Sequence, residues 1–285
     1  MCGIVAYVGH KSARPILIEG LKRLEYRGYD SAGVAMLVDD SFRIYKTSGR
    51  ISALEEILPQ EDPSEVIGIG HTRWATHGKP NTRNAHPHAD AAGKITIVHN
   101  GIIENYATIK KWLVSKGVAF VSDTDSEVIA NLIGYFYSTG NGHGGEGCPD
   151  ARNKFEWAVQ QALHELCGTY GLAIMCSDYP DTIIGAKKGS PLILGVGENE
   201  YIIASDAAAI VEHTTQAIYL SDNEMVTVTP DSFRTKTTDN VVVTKNLKDI
   251  EFSLDTVRRV ILPPTYSRQF RKDFPRYDNE LLFAD

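Results

Sequence analysis

A cysteine directly follows the initiator methionine in Met1-Cys2-Gly3-Ile4-Val5. If Met1 is removed, which the small side chain after it favours, thiol and free α-amine sit on one residue. A free thiol has a pKa near ~8.5 and an α-amine near ~7.7–8.0, so the amine is the better base at neutral pH. Held beside the thiol, directly or through one water, it can accept the proton as sulfur attacks a carbonyl. Position 2 could also be where a cysteine merely fell. A motif this short gains weight only from its context.

That context begins with the element that must hold Cys2. Residues 3–8 are apolar and rich in β-branched side chains, and they predict a buried strand with Cys2 at its end. Residues 14–26 predict a helix with Ile16, Leu17, Leu21 and Leu24 on one stripe and Pro15 in its first turn. Residues 31–38 and 42–47 read as strands paired across Asp39-Asp40-Ser41, and residues 51–58 as a helix stopped by Pro59. Residues 66–70 form a further buried strand that runs into His71-Thr72-Arg73-Trp74-Ala75-Thr76-His77-Gly78. A long polar loop is expected from there to Gly93, and such loops usually carry function.

Residues 95–98 predict a strand ending at His99-Asn100-Gly101, with helices over 106–116, 125–137 and 155–166. From Gly171 strands follow quickly, at 172–176, 182–186, 192–196, 201–204, 217–220 and 225–228. Runs of strands flanked by runs of helices imply stacked antiparallel sheets covered by helices, not a doubly wound parallel sheet. Gly140, Gly142 and Gly145 match a dinucleotide fingerprint in spacing. They follow a helix rather than a strand, so that reading is rejected. Residues 1–245 are expected to form the folded domain and residues 246–285 an extended or partly disordered tail.

Composition narrows the class. The 285 residues allow one large domain or two smaller ones, and 42% hydrophobic with 23% charged residues is ordinary for a globular chain. A formal net charge of -7 argues against sequence-independent nucleic-acid binding, which needs a cationic surface. No apolar run is long enough to span a bilayer, and the first residues lack the basic and apolar segments of a signal peptide. Cys2, Cys148, Cys167 and Cys176 show no disulfide spacing. The expectation is a cytoplasmic chain with reduced thiols and with neither nucleic acid nor membrane as partner.

Several motifs occur in a fixed order: Met1 to Val5, Leu24 to Gly33 (LEYRGYDSAG), His71 to Gly78 (HTRWATHG), His99 to Asn105 (HNGIIEN) and Ser122 to Glu127 (SDTDSE). Asn84-Ala85-His86-Pro87-His88, Gly189-Ser190-Pro191-Leu192 and Ala204-Ser205-Asp206 add to them. Together, over roughly the first 230 residues, they resemble the N-terminal glutaminase domain of the glutamine–fructose-6-phosphate aminotransferase family. The resemblance implies an α+β fold of N-terminal-nucleophile type, a four-layer α/β/β/α sandwich of antiparallel sheets. It also implies that L-glutamine is hydrolysed through an N-terminal cysteine thioester, with no metal or organic cofactor.

The implied roles follow position by position. Cys2 is the nucleophile. Asn100, by its side-chain amide, and Gly101, by its backbone N–H, are the donors for a tetrahedral oxyanion. Asn-Gly is also the commonest tight-turn pair, so a turn after Val98 could aim both donors. Arg73 would take the glutamine α-carboxylate as a planar fork, and Asp125 the α-ammonium, although Asp125 could also be a helix N-cap. Trp74 would help close the site, or pack as core; Thr76 and His77 would line the pocket. Arg27 would orient the nucleophile end, or pair with Asp30.

His86, His88 and His99 are expected to hold the loop by hydrogen bonds, since they lack a second pair at zinc spacing. The complete enzymes of this family carry a sugar-phosphate isomerase half that receives the ammonia, and 285 residues leave no room for it. That partner domain is therefore expected to be missing or separate, and a homodimer stays open. Purine-type or asparagine-type glutaminases, or an inactive regulatory module, remain as alternatives.

Overall fold

The computed structural model describes residues 2–60, 65–74, 79–142, 147–148, 150 and 153–250. In chain order it contains β1 (Gly3–Val8), α1 (Ala13–Leu24), β2 (Ser31–Val38), β3 (Ser41–Ser48), α2 (Ile51–Ile57), β4 (Ile67–Arg73) and β5 (His88–Ala89). These are followed by β6 (Ile95–Ile103), α3 (Tyr106–Ser115), α4 (Asp125–Thr139), α5 (Lys154–Glu165), β7 (Gly168–Cys176), β8 (Ile183–Lys188) and β9 (Ile193–Val196). The last strands are β10 (Tyr201–Ala204), β11 (Gln216–Tyr219), β12 (Glu224–Val228), β13 (Phe233–Thr237) and β14 (Lys248–Asp249).

Among the described residues the strands form two antiparallel sheets. One has the order β14-β11-β9-β10-β1-β4-β2-β3, the other β13-β12-β8-β7-β6-β5. Side chains alternate between the two faces of a strand, and the burial follows that alternation. Ile4, Ala6 and Val8 of β1, Ile67 and Ile69 of β4, and Ala35 and Leu37 of β2 meet Val98, Ala173 and Met175 of the second sheet in a core between the sheets. The opposite face of the second sheet packs Ile95, Ile97, Leu172 and Ile174 under α3, α4 and α5, through residues such as Leu113, Ile129, Ile133 and Ala158. On the outer face of the first sheet, Gly20 of α1 lies against Val5, and Leu21 lies against Gly70. The stack is helix, sheet, sheet, helix, as the sequence implied.

Local signals account for the element ends. Thr124 caps α4 by accepting from the Glu127 N–H, with Asp125 and Glu127 in the first turn where the helix dipole favours them. Asp125 is therefore the first helical residue and not the cap. Gly140 ends α4 in the left-handed conformation, a helix C-cap and not the start of a nucleotide loop; Gly145 lies outside the described residues. Asp39 and Asp40 both have positive φ, the tight hairpin turn expected between β2 and β3.

Two readings are corrected. Asn100-Gly101 is not a turn: β6 continues through it, with Asn100 opposite Gly171 and Gly101 opposite Tyr170 of β7. β4 also runs beyond residue 70, where the strand was expected to end, to Arg73, which pairs with Ser31. From Lys79 the expected loop region makes a short helical turn at Thr82–Asn84 and then β5, which pairs with β6. Of the expected tail, only residues 246–250 are described, and Lys248 pairs there with Ala217.

The loop before β5 comes very near the first sheet. A Cβ on Gly33 would stand 2.2 Å from the His86 carbonyl oxygen, so the absence of a side chain permits this approach. Gly33→Ala is expected to lower stability by about 1–3 kcal/mol through overpacking. Urea unfolding monitored by far-UV circular dichroism tests this, and an unchanged midpoint would show that loop and sheet are not in contact.

Candidate active site

The two sheets do not close their shared core completely. At one end the inner face of each strand changes from apolar to polar, and the same alternation that buried Ile4, Ile67 and Ile69 turns Cys2, His71 and Arg73 into the gap. Asn100 enters from the opposite sheet on the face that holds Val98. Register does the positioning: β1 and β4 pair Gly3 with Thr72 and Ile4 with His71. Cys2, Arg73, Asn100 and Gly101 line one cavity of about 420 Å³, with Arg27, Trp74 and Asp125 also in its wall. A second hollow of about 400 Å³, lined by Phe42, Ile44, Lys94 and Ser177 among others, shares no residue with it and offers no nucleophile beside fixed donors.

Cys2 is held from several sides. The Trp74 N–H donates to its Sγ at 3.0 Å, and the thiol reaches the Trp74 carbonyl at 3.4 Å. Asn100 Nδ2 donates to the Cys2 carbonyl at 3.2 Å. Just beyond, the Gly3 N–H donates to Thr72 Oγ1 and the Ile4 N–H to Ser205 Oγ. Burial pushes the Cys2 thiol up from its ordinary value, and the Trp74 N–H opposes that in part. The thiol is thus protonated at neutral pH and needs a base before it can attack.

The surrounding groups fall into four sets. Arg27 donates to the carbonyl and Oγ of Ser205 and lies 3.6 Å from Asp206, next to the β1 terminus. Tyr26 donates to the same Asp206. Arg73 is 4% exposed and stands 3.9 Å from Asp30, whose backbone N–H donates to the Arg73 carbonyl. Asp125 accepts from the Ile103 N–H at 2.9 Å and from Ser126 Oγ at 3.4 Å. Trp74 is 42% exposed. Its ring lies over Gly28, where a Cβ would be 2.5 Å from the indole and φ is +85°. It is a wall of the cavity, not core.

Gly101 shows why no other residue serves there: φ is +139°, and a Cβ would meet the Thr169 carbonyl oxygen at 2.1 Å. Thr76 and His77 lie outside the described residues. The sequence reading had no role for His71 or Ser205 and offered Asp30 as a partner of Arg27, whereas Asp30 stands beside Arg73; His71 follows Ile67 and Ile69 at a spacing of two, and that alternation could have flagged it.

A buried histidine group backs the cavity. His86 stacks on His71 with ring centroids 4.1 Å apart, and its edge meets His88. His88 bonds Thr124 Oγ1, His99 bonds Ser126 Oγ, and the His99 N–H donates to His86 Nδ1. Burial holds His71 down at about 3 and His86 and His88 well below their ordinary value, so all three are neutral. These contacts hold the loop, as expected from the sequence. Among the described residues no three or more His, Cys, Asp or Glu side chains are grouped to hold a metal ion.

A nucleophile at a strand end, a backbone N–H on its sulfur, an amide donor and a buried guanidinium in one cavity suit attack on a small polar carbonyl substrate. Residues 71–212 match the family model of the glutamine amidotransferase domain, and the chain belongs to that family. Its curated relatives include the glutamine–fructose-6-phosphate aminotransferase [isomerizing] of Chlorobaculum tepidum, 48% identical over 262 residues, covering 91% of this chain and 41% of the relative. The Clostridium tetani enzyme of the same name is 44% identical over 259 residues, covering 91% and 40%. The chain thus spans about two fifths of the length of the curated relatives it matches. Among solved structures, the glutamine phosphoribosylpyrophosphate amidotransferase of B. subtilis superposes with a TM-score of 0.67 at 24% identity, covering 85% of this chain and 50% of that one. That likeness is one of fold. No helix among the described residues is long and apolar enough to cross a membrane.

Lys46 clamps the loop that carries His86. Its Nζ donates to the carbonyls of Ala85 at 2.8 Å, Pro87 at 3.2 Å and Arg83 at 3.4 Å, while burial pulls the amine down to about 8. The unfolded chain keeps this proton up to about 10.4. Between the two values it binds more protons than the folded chain, so this group makes stability rise with pH there. Lys46→Met is expected to abolish that rise, so the variant loses ground against the parent as pH increases through the window. Urea titrations at a series of pH values test it; a stability difference independent of pH would place the amine in solvent.

Proposed function

We propose that this chain hydrolyses L-glutamine to glutamate and ammonia, with Cys2 as nucleophile after removal of Met1. The observation that carries the reading is the shared cavity of Cys2, Arg73, Asn100 and Gly101. Because burial raises the thiol pKa, a nearby base is needed, and a free Cys2 α-amine would supply it. The amine takes the thiol proton as sulfur bonds to the carboxamide carbon. Asn100 Nδ2 and the Gly101 N–H stabilise the oxyanion, where loss of one donor typically costs ~2.7–4 kcal/mol. The C–N bond breaks as the amine returns the proton to the departing ammonia, leaving a γ-glutamyl thioester. Water, deprotonated by the same amine, cleaves the thioester to glutamate and regenerates the thiol.

Arg73 takes the substrate α-carboxylate and Asp125 the α-ammonium. Arg27 fixes the β1 end through Ser205, and Trp74, with Thr76 and His77, encloses the substrate. The relatives' name points to fructose 6-phosphate as the eventual acceptor. In that reading the ammonia passes to a sugar-phosphate isomerase domain, in the same polypeptide or another, and glucosamine 6-phosphate results. A purine-type or asparagine-type acceptor is the alternative, and a glutaminase assay with and without fructose 6-phosphate separates the two.

Cys2→Ala is expected to abolish glutamine-dependent ammonia release without loss of fold, because only a thiol at a strand end is removed. Coupled glutamate dehydrogenase assay and circular dichroism of the variant read both; persistent ammonia release would overturn the assignment. Intact mass of the active protein should show one methionine removed. Arg73→Lys is expected to raise the KM for glutamine about tenfold or more, as the bidentate pair is lost. An unchanged KM would place the α-carboxylate elsewhere.

A further inference from the structure

His71 has no part in the scheme above, yet it is completely buried and bonded on one ring nitrogen only. Its Nε2 lies 2.9 Å from Asn100 Oδ1 and 3.1 Å from the His99 carbonyl oxygen. Its Nδ1 is buried with no hydrogen-bond partner among the described residues. A carbonyl oxygen can only accept, so Nε2 must carry the ring hydrogen. A nitrogen that is donating needs an acceptor from Asn100 as well, so the amide must present oxygen to it. The Asn100 NH2 is thereby turned the other way, where it donates to the Cys2 carbonyl. One backbone carbonyl thus fixes the tautomer, and the tautomer fixes the amide.

The ring itself is held in place. His86 stacks on it at 4.1 Å with 21° between the planes, and the chain around His86 is gripped by Lys46 and pressed on Gly33. Burial keeps the imidazole neutral. A second ring proton would sit on Nδ1 with no acceptor, which is costly in an apolar interior.

We propose that His71, as its Nε2–H tautomer, is the positioning residue that locks the Asn100 amide with its NH2 toward the nucleophile. The inference rests on the glutamine-hydrolysis reading. Without the lock the amide can turn over and offer its oxygen, not its N–H, to the developing oxyanion. The loss therefore falls on the transition state and not on ground-state glutamine binding.

Steady-state ammonia release by the purified protein tests this in three variants. His71→Leu is expected to lower kcat by about 10²-fold or more while the glutamine KM stays within about threefold, as for loss of an oxyanion donor. His71→Gln, whose side-chain NH2 can still donate to Asn100, is expected to stay within about tenfold of the parent. His71→Leu combined with Asn100→Ala is expected to be no slower than Asn100→Ala alone, because the two act through one group. Equal losses in the Leu and Gln variants, a change confined to KM, or additive losses in the double variant would each overturn the proposal.

Should the Leu variant not fold, 15N NMR of the imidazoles in the unaltered protein decides. A proton on Nε2 of His71 at neutral pH supports the proposal, and a proton on Nδ1, or on both nitrogens, overturns it. A parent protein without glutaminase activity would sink the proposed function and the catalytic part of this inference, while the tautomer measurement would still stand, so the two failures are told apart.

Discussion

The pairing of β1 with β4 is the constraint on which the site depends. It sets Gly3 against Thr72 and Ile4 against His71, and because side chains alternate along a strand, it brings Cys2, His71 and Arg73 to the inner face together. A slip of one residue would turn the whole inner set of either strand to the opposite face. Such a slip is opposed by the apolar residues further along the same strands, since Ile4, Ala6, Val8, Ile67 and Ile69 all belong to the core between the sheets. Core and site are thus parts of one alternation, and the register that buries hydrocarbon also aims the sulfur.

The polar end of the gap is backed by the chain that leads into and forms β5. That segment contributes His86 and His88 to a group of neutral imidazoles and is fastened from the first sheet and from the start of α4. Lys46 reaches it from β3, Gly33 of β2 makes room for it, and Thr124 and Ser126 at the start of α4 bond His88 and His99. Buried polar groups are tolerable only when nearly all of them are paired. Here it is burial that keeps rings that elsewhere titrate near neutrality uncharged.

The helices and most strands were legible because their apolar residues recur at the helical or strand period. Ile16, Leu17, Leu21 and Leu24 marked α1 well, and the β-branched run of β1 left little choice. The misreadings cluster where function interrupts that pattern. His71, Arg73 and Asn100 are polar side chains on inward-facing positions, so the apolar signal stops before the strand does, and both β4 and β6 looked shorter than they are. The pair Asn100-Gly101 carried a turn signature for a different reason: its glycine is needed for a positive φ and a close approach to the Thr169 carbonyl. Local rules fail most often at sites. β13, with Arg234 and Lys236, was passed over because an edge strand carrying charge does not look like a strand. Of the residues the motifs named, Cys2, Arg27, Arg73, Trp74, Asn100, Gly101 and Asp125 line one cavity, but His71 stayed hidden within its own motif, since its part depends on the opposite sheet.

The place of β1 within its sheet bears on how the molecule is made. β1 lies between β4 and β10, and Ser205, just past β10, accepts from the Ile4 N–H. β1 therefore cannot be enclosed on both edges until the chain near residue 204 has been made. Contacts this distant in sequence form late. Until then the β10 edge of β1 stays open, whereas in the finished fold Cys2 is held beside Trp74 and Asn100.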